Sequence, residues 1–173
     1  MANPVIVLDY DSNWPVVFQS LCKRIADALG DLAAAIEHVG STAVPDLAAK
    51  PIIDIDVLLA SEAILPTALE RLRSLGYVHR GNLGIPEREA FFAPVNDPPH
   101  HLYVCQPCSA EFRRHIVFRD YLRAHPKDAK IYGDLKIALA KRFQEDRSAY
   151  NTAKTEFVAQ LTRRAMTFLV SEG

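Results

Sequence analysis

The sequence is poor in cysteine and has no apolar run long enough to cross a lipid bilayer. Its three cysteines, Cys22, Cys105 and Cys108, are too few and odd in number for a secreted domain held together by disulfides. Residues 1–5 also lack the basic and apolar stretches of a secretory leader. These absences predict reduced thiols, a cytoplasmic location and no membrane partner.

Strong charge of either sign is also missing. The formal net charge is -1 over 173 residues, and this near-neutral balance disfavours broad binding to nucleic acid or to a membrane surface. Hydrophobic residues make up 49% of the chain and charged residues 24%, which is typical of a globular protein. Because the sequence has no repeat, low-complexity tract or convincing linker, we expect one domain over residues 1–173.

The hydrophobic periodicity predicts an α+β (mixed α/β) fold with a helical C-terminal third. The predicted strands are residues 36–39, 52–59, 77–79, 91–93 and 100–105, with a short β-prone run at residues 5–8. The predicted helices are residues 14–29, 65–75 and 110–124, one that starts near residue 127, and one over residues 149–169. We expect residues 91–93 and 100–105 to pair antiparallel, and residues 109–173 to be mostly helical.

Two aspartates stand one residue apart in the apolar run at residues 52–59. Because side chains alternate along a strand, Asp54 and Asp56 should share one face, with their Cα atoms about 6.5–7 Å apart. That spacing suits a hard divalent cation such as Mg²⁺, which would offset the repulsion and the lost solvation of two carboxylates. The alternative is a half-exposed strand whose polar face carries two aspartates with no ligand.

A Gly-Ser turn lies about a dozen residues before these aspartates. Gly40 allows a sharp turn and a close approach of a ligand, and Ser41 adds a hydroxyl to the exposed N–H groups of the turn. Such a turn suits a phosphate group. A phosphate-binding turn followed by a two-carboxylate metal site predicts nucleotidyl transfer, in which metal ions bridge the triphosphate.

This pattern resembles the signature of the DNA polymerase beta-type nucleotidyltransferase superfamily, and its longer form resembles the GrpB family. The GrpB resemblance lies in residues 37–45 and 47–55, and continues through 84–86, 100–102, 118–123, 146–147, Tyr150 and Lys154. It implies a nucleotidyltransferase-like fold, a small mixed sheet flanked by helices. The relatives of this family that are fused to dephospho-CoA kinases imply a link to coenzyme A metabolism.

The sequence departs from the superfamily at the third carboxylate, which a neighbouring strand usually supplies. The candidate strand at residues 100–105 carries no acid, and His101 and Tyr103 occupy the face that should meet the aspartates. A neutral His101 could ligate a metal or act as a base, but it cannot replace the negative charge. Glu89 is a distant substitute.

Several cations are candidates for binding phosphate. Lys50 lies between the Gly-Ser turn and the aspartates, Arg80 and Arg88 flank a glycine-rich loop, and Lys154 shares a helical stripe with Tyr150. Each has the alternative of a solvated surface position, and Lys154 the alternative of extending to solvent along an apolar stripe. Cys105 and Cys108 have zinc spacing, but without a second pair we expect two reduced thiols.

The sequence leaves two functions open. The first is a Mg²⁺-dependent nucleotidyltransferase with an unknown acceptor, in which Asp54, Asp56 and His101 are catalytic and Gly40, Ser41, Lys50, Arg88 and Lys154 bind the nucleotide. The alternative, which the missing third carboxylate favours, is a nucleotide- or CoA-binding module with weak or lost catalysis.

Overall fold

The structure is a computed structural model, and it describes residues 4–172, with side chains through Phe168. The helices are α1 (Trp14–Leu29), α2 (Leu65–Ser74), α3 (Ala110–Ala124), α4 (Pro126–Arg142) and α5 (Arg147–Glu172). The strands are β1 (Ala33–Val39), β2 (Ile53–Leu59), β3 (Val78–His79), β4 (Arg88–Phe92) and β5 (His100–Cys105). No helix in this range has the length and apolar character needed to span a membrane.

The strands form a single mixed sheet in the order β1-β2-β5-β4-β3. The β2–β5 pair is parallel, while β1–β2, β4–β5 and β3–β4 are antiparallel. The predicted mixed α/β fold is therefore confirmed, including the antiparallel pairing of the two strands that flank residues 94–99. The strand predicted at residues 91–93 begins earlier, at Arg88.

The local sequence explains where α1 begins and ends and which of its residues are buried. Proline lies in the first turn of α1, where its missing N–H costs nothing, and Leu21, Ile25 and Leu29 recur every four residues as the buried stripe. The helix ends where Gly30 adopts a φ of 56°, which is readily accessible to glycine. The buried stripe packs against β1 and β2.

The sheet has one apolar face and one polar face. Ile53, Ile55 and Val57 of β2 are buried on the first, level with Leu102 and Val104 of β5. The second, which we call the carboxylate face, is defined by the intervening positions: Asp54 and Asp56 of β2, His101 and Tyr103 of β5, and Arg88, Ala90 and Phe92 of β4. The Asp, Glu and Arg residues of the strands that are discussed below lie on this carboxylate face, with the exception of Glu89.

Backbone contacts divide the chain into two compact units. The sheet unit comprises Asn13–Val39 and Ile52–Arg113, and the helical unit comprises Met1–Ser12, Gly40–Pro51 and Arg114–Gly173. The core of the helical unit joins helices α3 to α5 to the loop of residues 44–47, and its buried members are Val44, Leu47, Val117, Tyr121, Leu122, Ala129, Tyr132, Leu161 and Ala165. A glycine in α4 permits this packing, because a Cβ at Gly133 would lie 3.4 Å from the Leu47 side chain.

The β-prone run at residues 5–8 forms no regular strand. Leu8 makes an isolated antiparallel bridge with Ala49, in which each backbone N–H donates to the carbonyl of the other at 2.9 Å. Val5 instead packs in a second small cluster of the helical unit, with Leu139, Ala140 and Tyr150. The apolar residues of this run thus serve helix packing rather than sheet formation.

Candidate functional site

The two aspartates of β2 have different environments. Asp56 is fully buried, with 0% of its surface exposed, whereas the side chain of Asp54 is 31% exposed. The β-branched residues that alternate with them, Ile53, Ile55 and Val57, face the apolar core, so strand alternation places both carboxylates on the carboxylate face. Burying a carboxylate is costly without charge compensation, and a cation near Asp56 would provide it.

His101 lies directly beside Asp54. The parallel register pairs these two residues, and His101 Nδ1 is 2.8 Å from Asp54 Oδ1. Because an ionised carboxylate can only accept, Nδ1 carries the hydrogen and donates it. A neutral imidazole held in this way presents Nε2 as an acceptor, which is the state required of a general base.

Tyr103 and Arg88 continue the carboxylate face beside Asp56. The register pairs Asp56 with Tyr103, and the guanidinium of Arg88 lies 4.4 Å above the Tyr103 ring. Arg88 also forms an ion pair with Glu111 at 3.6 Å. Burial raises the pKa of Tyr103, and the charges of Asp54 and Asp56 add to the increase. These two partners favour a structural role for Arg88 over phosphate binding.

The carboxylate that the sequence lacks on β5 is not supplied by Glu89. Its register partner is Val104, which lies on the apolar face, and its Oε2 is 2.6 Å from His79 Nε2. A closer acid is Glu37 of β1, the register partner of Asp56. Within residues 4–172, however, no three His, Cys, Asp or Glu side chains are arranged to hold a metal ion together. A metal here would need ligands from water or substrate.

The predicted Gly-Ser turn lies in the helical unit. Gly40 has a φ of 73°, and Ser41 begins a single 3₁₀ turn, Ser41–Ala43. Lys136 of α4 donates from Nζ to Ser41 Oγ at 2.8 Å, and its own surface is only 2% exposed. A hydroxyl and an ammonium thus meet at the predicted phosphate turn.

Lys50 and Lys154 converge on one aromatic ring of the helical unit. Their ammonium nitrogens lie 5.7 Å and 5.1 Å from the centroid of Tyr150, which is fully buried. Burial raises the pKa of Tyr150 to about 12, so the ring stays neutral and offers its π face to the cations. Lys154 therefore packs on the apolar stripe that the sequence predicted, with its ammonium at the ring.

Cys105 and Cys108 are free cysteines, and among residues 4–172 no group of three His, Cys, Asp or Glu side chains is placed to hold a metal ion. Cys105 is buried and Cys108 exposed. Burial raises the pKa of Cys105 to about 12, which keeps it protonated at neutral pH. A protonated, buried thiol is a poor nucleophile.

The predicted site residues thus fall into two groups. Asp54, Asp56, His101 and Arg88 belong to the sheet unit, whereas Gly40, Ser41, Lys50 and Lys154 belong to the helical unit. Sequence reasoning missed Lys136. Its signal was its helical spacing: the buried residues Tyr132, Leu139 and Ala140 lie three or four positions away, so Lys136 lies on the buried side of α4.

Solved structures share the fold of this chain. Cid1 poly(U) polymerase, in a mutant bound to MgATP, superposes with a TM-score of 0.56 at 14% sequence identity, covering 79% of this chain and 44% of that one. This likeness shows a nucleotidyltransferase fold and nothing finer. GrpB from Enterococcus faecalis superposes much more closely, with a TM-score of 0.87 at 30% identity, covering 95% of this chain and 99% of that chain.

The chain belongs to the GrpB family: a sequence model of the GrpB protein matches residues 4–164. A UPF0157 protein of Pseudomonas aeruginosa is 42% identical over 168 residues, which cover 92% of this chain and 67% of that protein. A dephospho-CoA kinase of Mycolicibacterium paratuberculosis is 26% identical over 195 residues, which cover 98% of this chain and 48% of the kinase.

Proposed function

We propose that this protein transfers a nucleotide from a nucleoside triphosphate to the hydroxyl of an acceptor, with Mg²⁺ held by Asp54 and Asp56. The observation that carries the proposal is the pairing of these two carboxylates on one sheet face with His101 at 2.8 Å from Asp54. Mg²⁺ commonly binds one or two carboxylates and takes its other ligands from water and substrate phosphates. Two aspartates therefore suit a metal that arrives with the nucleotide. When bound, Mg²⁺ would neutralise charge on the phosphate oxygens.

His101 is the proposed general base. The acceptor oxygen forms a bond to the α-phosphorus, the bond from that phosphorus to the bridging oxygen breaks, and pyrophosphate leaves. The acceptor proton passes to His101 Nε2, because Nδ1 already donates to Asp54. Asp54 Oδ1 thereby orients the imidazole.

In the helical unit we propose Gly40, Ser41 and Lys136 as a phosphate-binding group, with Lys50 and Lys154 as a second pair of cations. The support is the 2.8 Å contact between Lys136 Nζ and Ser41 Oγ at the turn that Gly40 begins. Turn N–H groups, a hydroxyl and an ammonium are the donors that phosphate binds most readily.

The metal part of the proposal is tested by nucleotide binding measured calorimetrically with and without Mg²⁺. The wild type should bind a nucleoside triphosphate more tightly with Mg²⁺, and Asp54→Asn and Asp56→Asn should each lose that increment. Asp27→Asn is the matched control, because Asp27 is an exposed carboxylate of the sheet unit that pairs with Lys23 on the same helix. Equal Mg²⁺ dependence in all four proteins would contradict the metal site.

The phosphate part is tested separately with inorganic triphosphate. Ser41→Ala and Lys136→Gln should each weaken its binding, whereas Lys130→Gln should not, because Lys130 is an exposed lysine of the same helix paired with Asp134. Equal losses in Lys136→Gln and Lys130→Gln would indicate general charge attraction, and unchanged binding in Ser41→Ala and Lys136→Gln would remove the Gly-Ser turn from the proposal.

A second candidate function is a nucleotide- or CoA-binding module with weak or lost catalysis. Two observations favour it: no three acids or histidines in residues 4–172 form a metal group, and mycobacterial dephospho-CoA kinases contain a related segment. This function predicts binding of CoA or nucleotide without pyrophosphate release. A screen for pyrophosphate release over several acceptors distinguishes it from the first proposal.

A further inference from the structure

An exposed arginine–aromatic pair occupies the outer part of the carboxylate face. The guanidinium carbon of Arg80 lies 4.2 Å from the ring centroid of Phe92, and Phe92 remains 57% exposed. We call this the Arg80–Phe92 pair. A large exposed aromatic ring costs hydration free energy, and the stacked guanidinium makes it a flat, positively charged surface.

Strand register places this pair beside His101. Phe91 pairs with Leu102, so the next position sets Phe92 opposite His101 on the carboxylate face. Arg80 joins the same strands, since its backbone N–H donates to the Ala90 carbonyl at 2.9 Å. Side chains directly opposite in an antiparallel pair have Cβ atoms about 4.5–5.5 Å apart. Continued by one position beyond the pair of Phe91 and Leu102, this register places Phe92 next to His101 and one strand further from Asp54.

A second arginine–aromatic pair, Arg88 with Tyr103, differs from the Arg80–Phe92 pair in its burial. Arg88 stacks on Tyr103 at 4.4 Å, but Arg88 is only 8% exposed and also pairs with Glu111, so its role in packing is evident. The Arg80–Phe92 pair fills no core.

We propose that the Arg80–Phe92 pair binds the planar ring of an anionic acceptor, of the chemical class of a nucleoside phosphate. This inference rests on the proposed function, because it assigns the ligand through His101. The base that removes the acceptor proton must lie next to the acceptor, and Phe92 is the neighbour of His101 on the side away from Asp54. The ring bound there therefore belongs to the acceptor, not to the triphosphate donor. Stacking tolerates any base, so this surface discriminates weakly among bases.

Adenosine monophosphate, without metal or triphosphate, is the probe. The wild type should bind it more tightly than adenosine or ribose 5-phosphate, since the surface requires both a ring and a negative charge. Phe92→Ala should weaken binding about 5- to 150-fold, the range expected for one stacked base. Arg80→Gln should also weaken it. Arg142→Gln is the matched control, because Arg142 stacks on Phe143 at 5.0 Å in the helical unit.

The outcomes separate this inference from the proposed function. If the wild type does not bind adenosine monophosphate, or if Phe92→Ala and Phe92→Leu bind it as well as Arg142→Gln does, the Arg80–Phe92 site is overturned. Binding of adenosine monophosphate should be equal with and without Mg²⁺, because the ring site needs no metal. A third outcome is that adenosine monophosphate binding depends on Phe92 but the affinity for triphosphate does not depend on Mg²⁺. This outcome would support the ring site, and it would remove both the transferase proposal and the acceptor role of the bound ring.

Discussion

Replacing each of two buried tyrosines by phenylalanine should change the free energy of unfolding in opposite directions. Tyr77 and Tyr150 are 2% and 0% exposed, and burial raises the pKa of each to about 12. Tyr77 donates its hydroxyl hydrogen to His100 Nε2 at 2.7 Å, since His100 Nδ1 already donates to the Pro98 carbonyl. The Tyr150 hydroxyl has no hydrogen-bond partner among residues 4–172.

The magnitudes follow from these partners. Tyr77→Phe leaves the buried His100 Nε2 without a donor and should lower the free energy of unfolding by about 1–3 kcal/mol. Tyr150→Phe removes a hydroxyl that is buried without compensation and should raise it by about 1 kcal/mol. At about 2–4 °C per kcal/mol for a chain of this size, the two melting temperatures should differ by roughly 4–16 °C.

The assay is equilibrium urea unfolding of the wild type and both variants, compared at equal slopes so that the differences report stability alone. Each variant is the control for the other, because both delete the same atom from a buried ring. An equal loss in the two variants would refute the reasoning, since it would mean that Tyr150 also forms a stabilising hydrogen bond.

Three further predictions concern other groups. Burial lowers the pKa of His100 from its ordinary 6.5. The contribution of neutral His100 to the free energy of unfolding should therefore be complete above pH 6.5 and be lost as the pH falls through the folded-state pKa. Urea midpoints measured against pH should show this decline, and His100→Gln should make the decline smaller. A hydrogen bond to Glu87 raises the pKa of the Cys108 thiol, so Glu87→Gln should speed its alkylation by iodoacetamide while buried Cys105 stays unmodified, as measured by mass spectrometry. Gly76 has a φ of 90°, so Gly76→Ala should lower thermal stability by about 1–2 kcal/mol, and an unchanged melting curve would contradict that strain.

The part of the site that depends on strand alternation could be predicted from the sequence. Asp54 and Asp56 share a face because they are two residues apart, and His101 joins them because its strand pairs with β2 in the register that aligns it with Asp54. Both the helix over residues 14–29 and the helix over residues 110–124 have the bounds that their apolar spacing predicts. Strand alternation and helical spacing are local properties of short segments.

The parts that depend on distant segments could not be predicted. The sequence offers Glu89 as a substitute for the third carboxylate, but the register of β4 against β5 turns its side chain to the apolar face. A shift of the register by one residue would place that side chain on the carboxylate face. The contact of Lys136 with the Gly-Ser turn could not be predicted either, because its partner Ser41 lies 95 residues earlier in the chain. The two compact units could not be predicted from the sequence, because their segments alternate along the chain and no linker separates them.

That alternation has a consequence for the order in which the chain can fold during synthesis. The sheet unit takes its residues from Asn13–Val39 and Ile52–Arg113, so its last member leaves the ribosome before most of the helical unit has been translated. The loop that carries Val44 and Leu47 is made early, yet these two buried residues belong to a core whose other members lie in helices that are made last. The nascent chain should therefore leave the apolar side chains of this loop without that core until α4 and α5 emerge, an interval in which they are open to a chaperone or to aggregation.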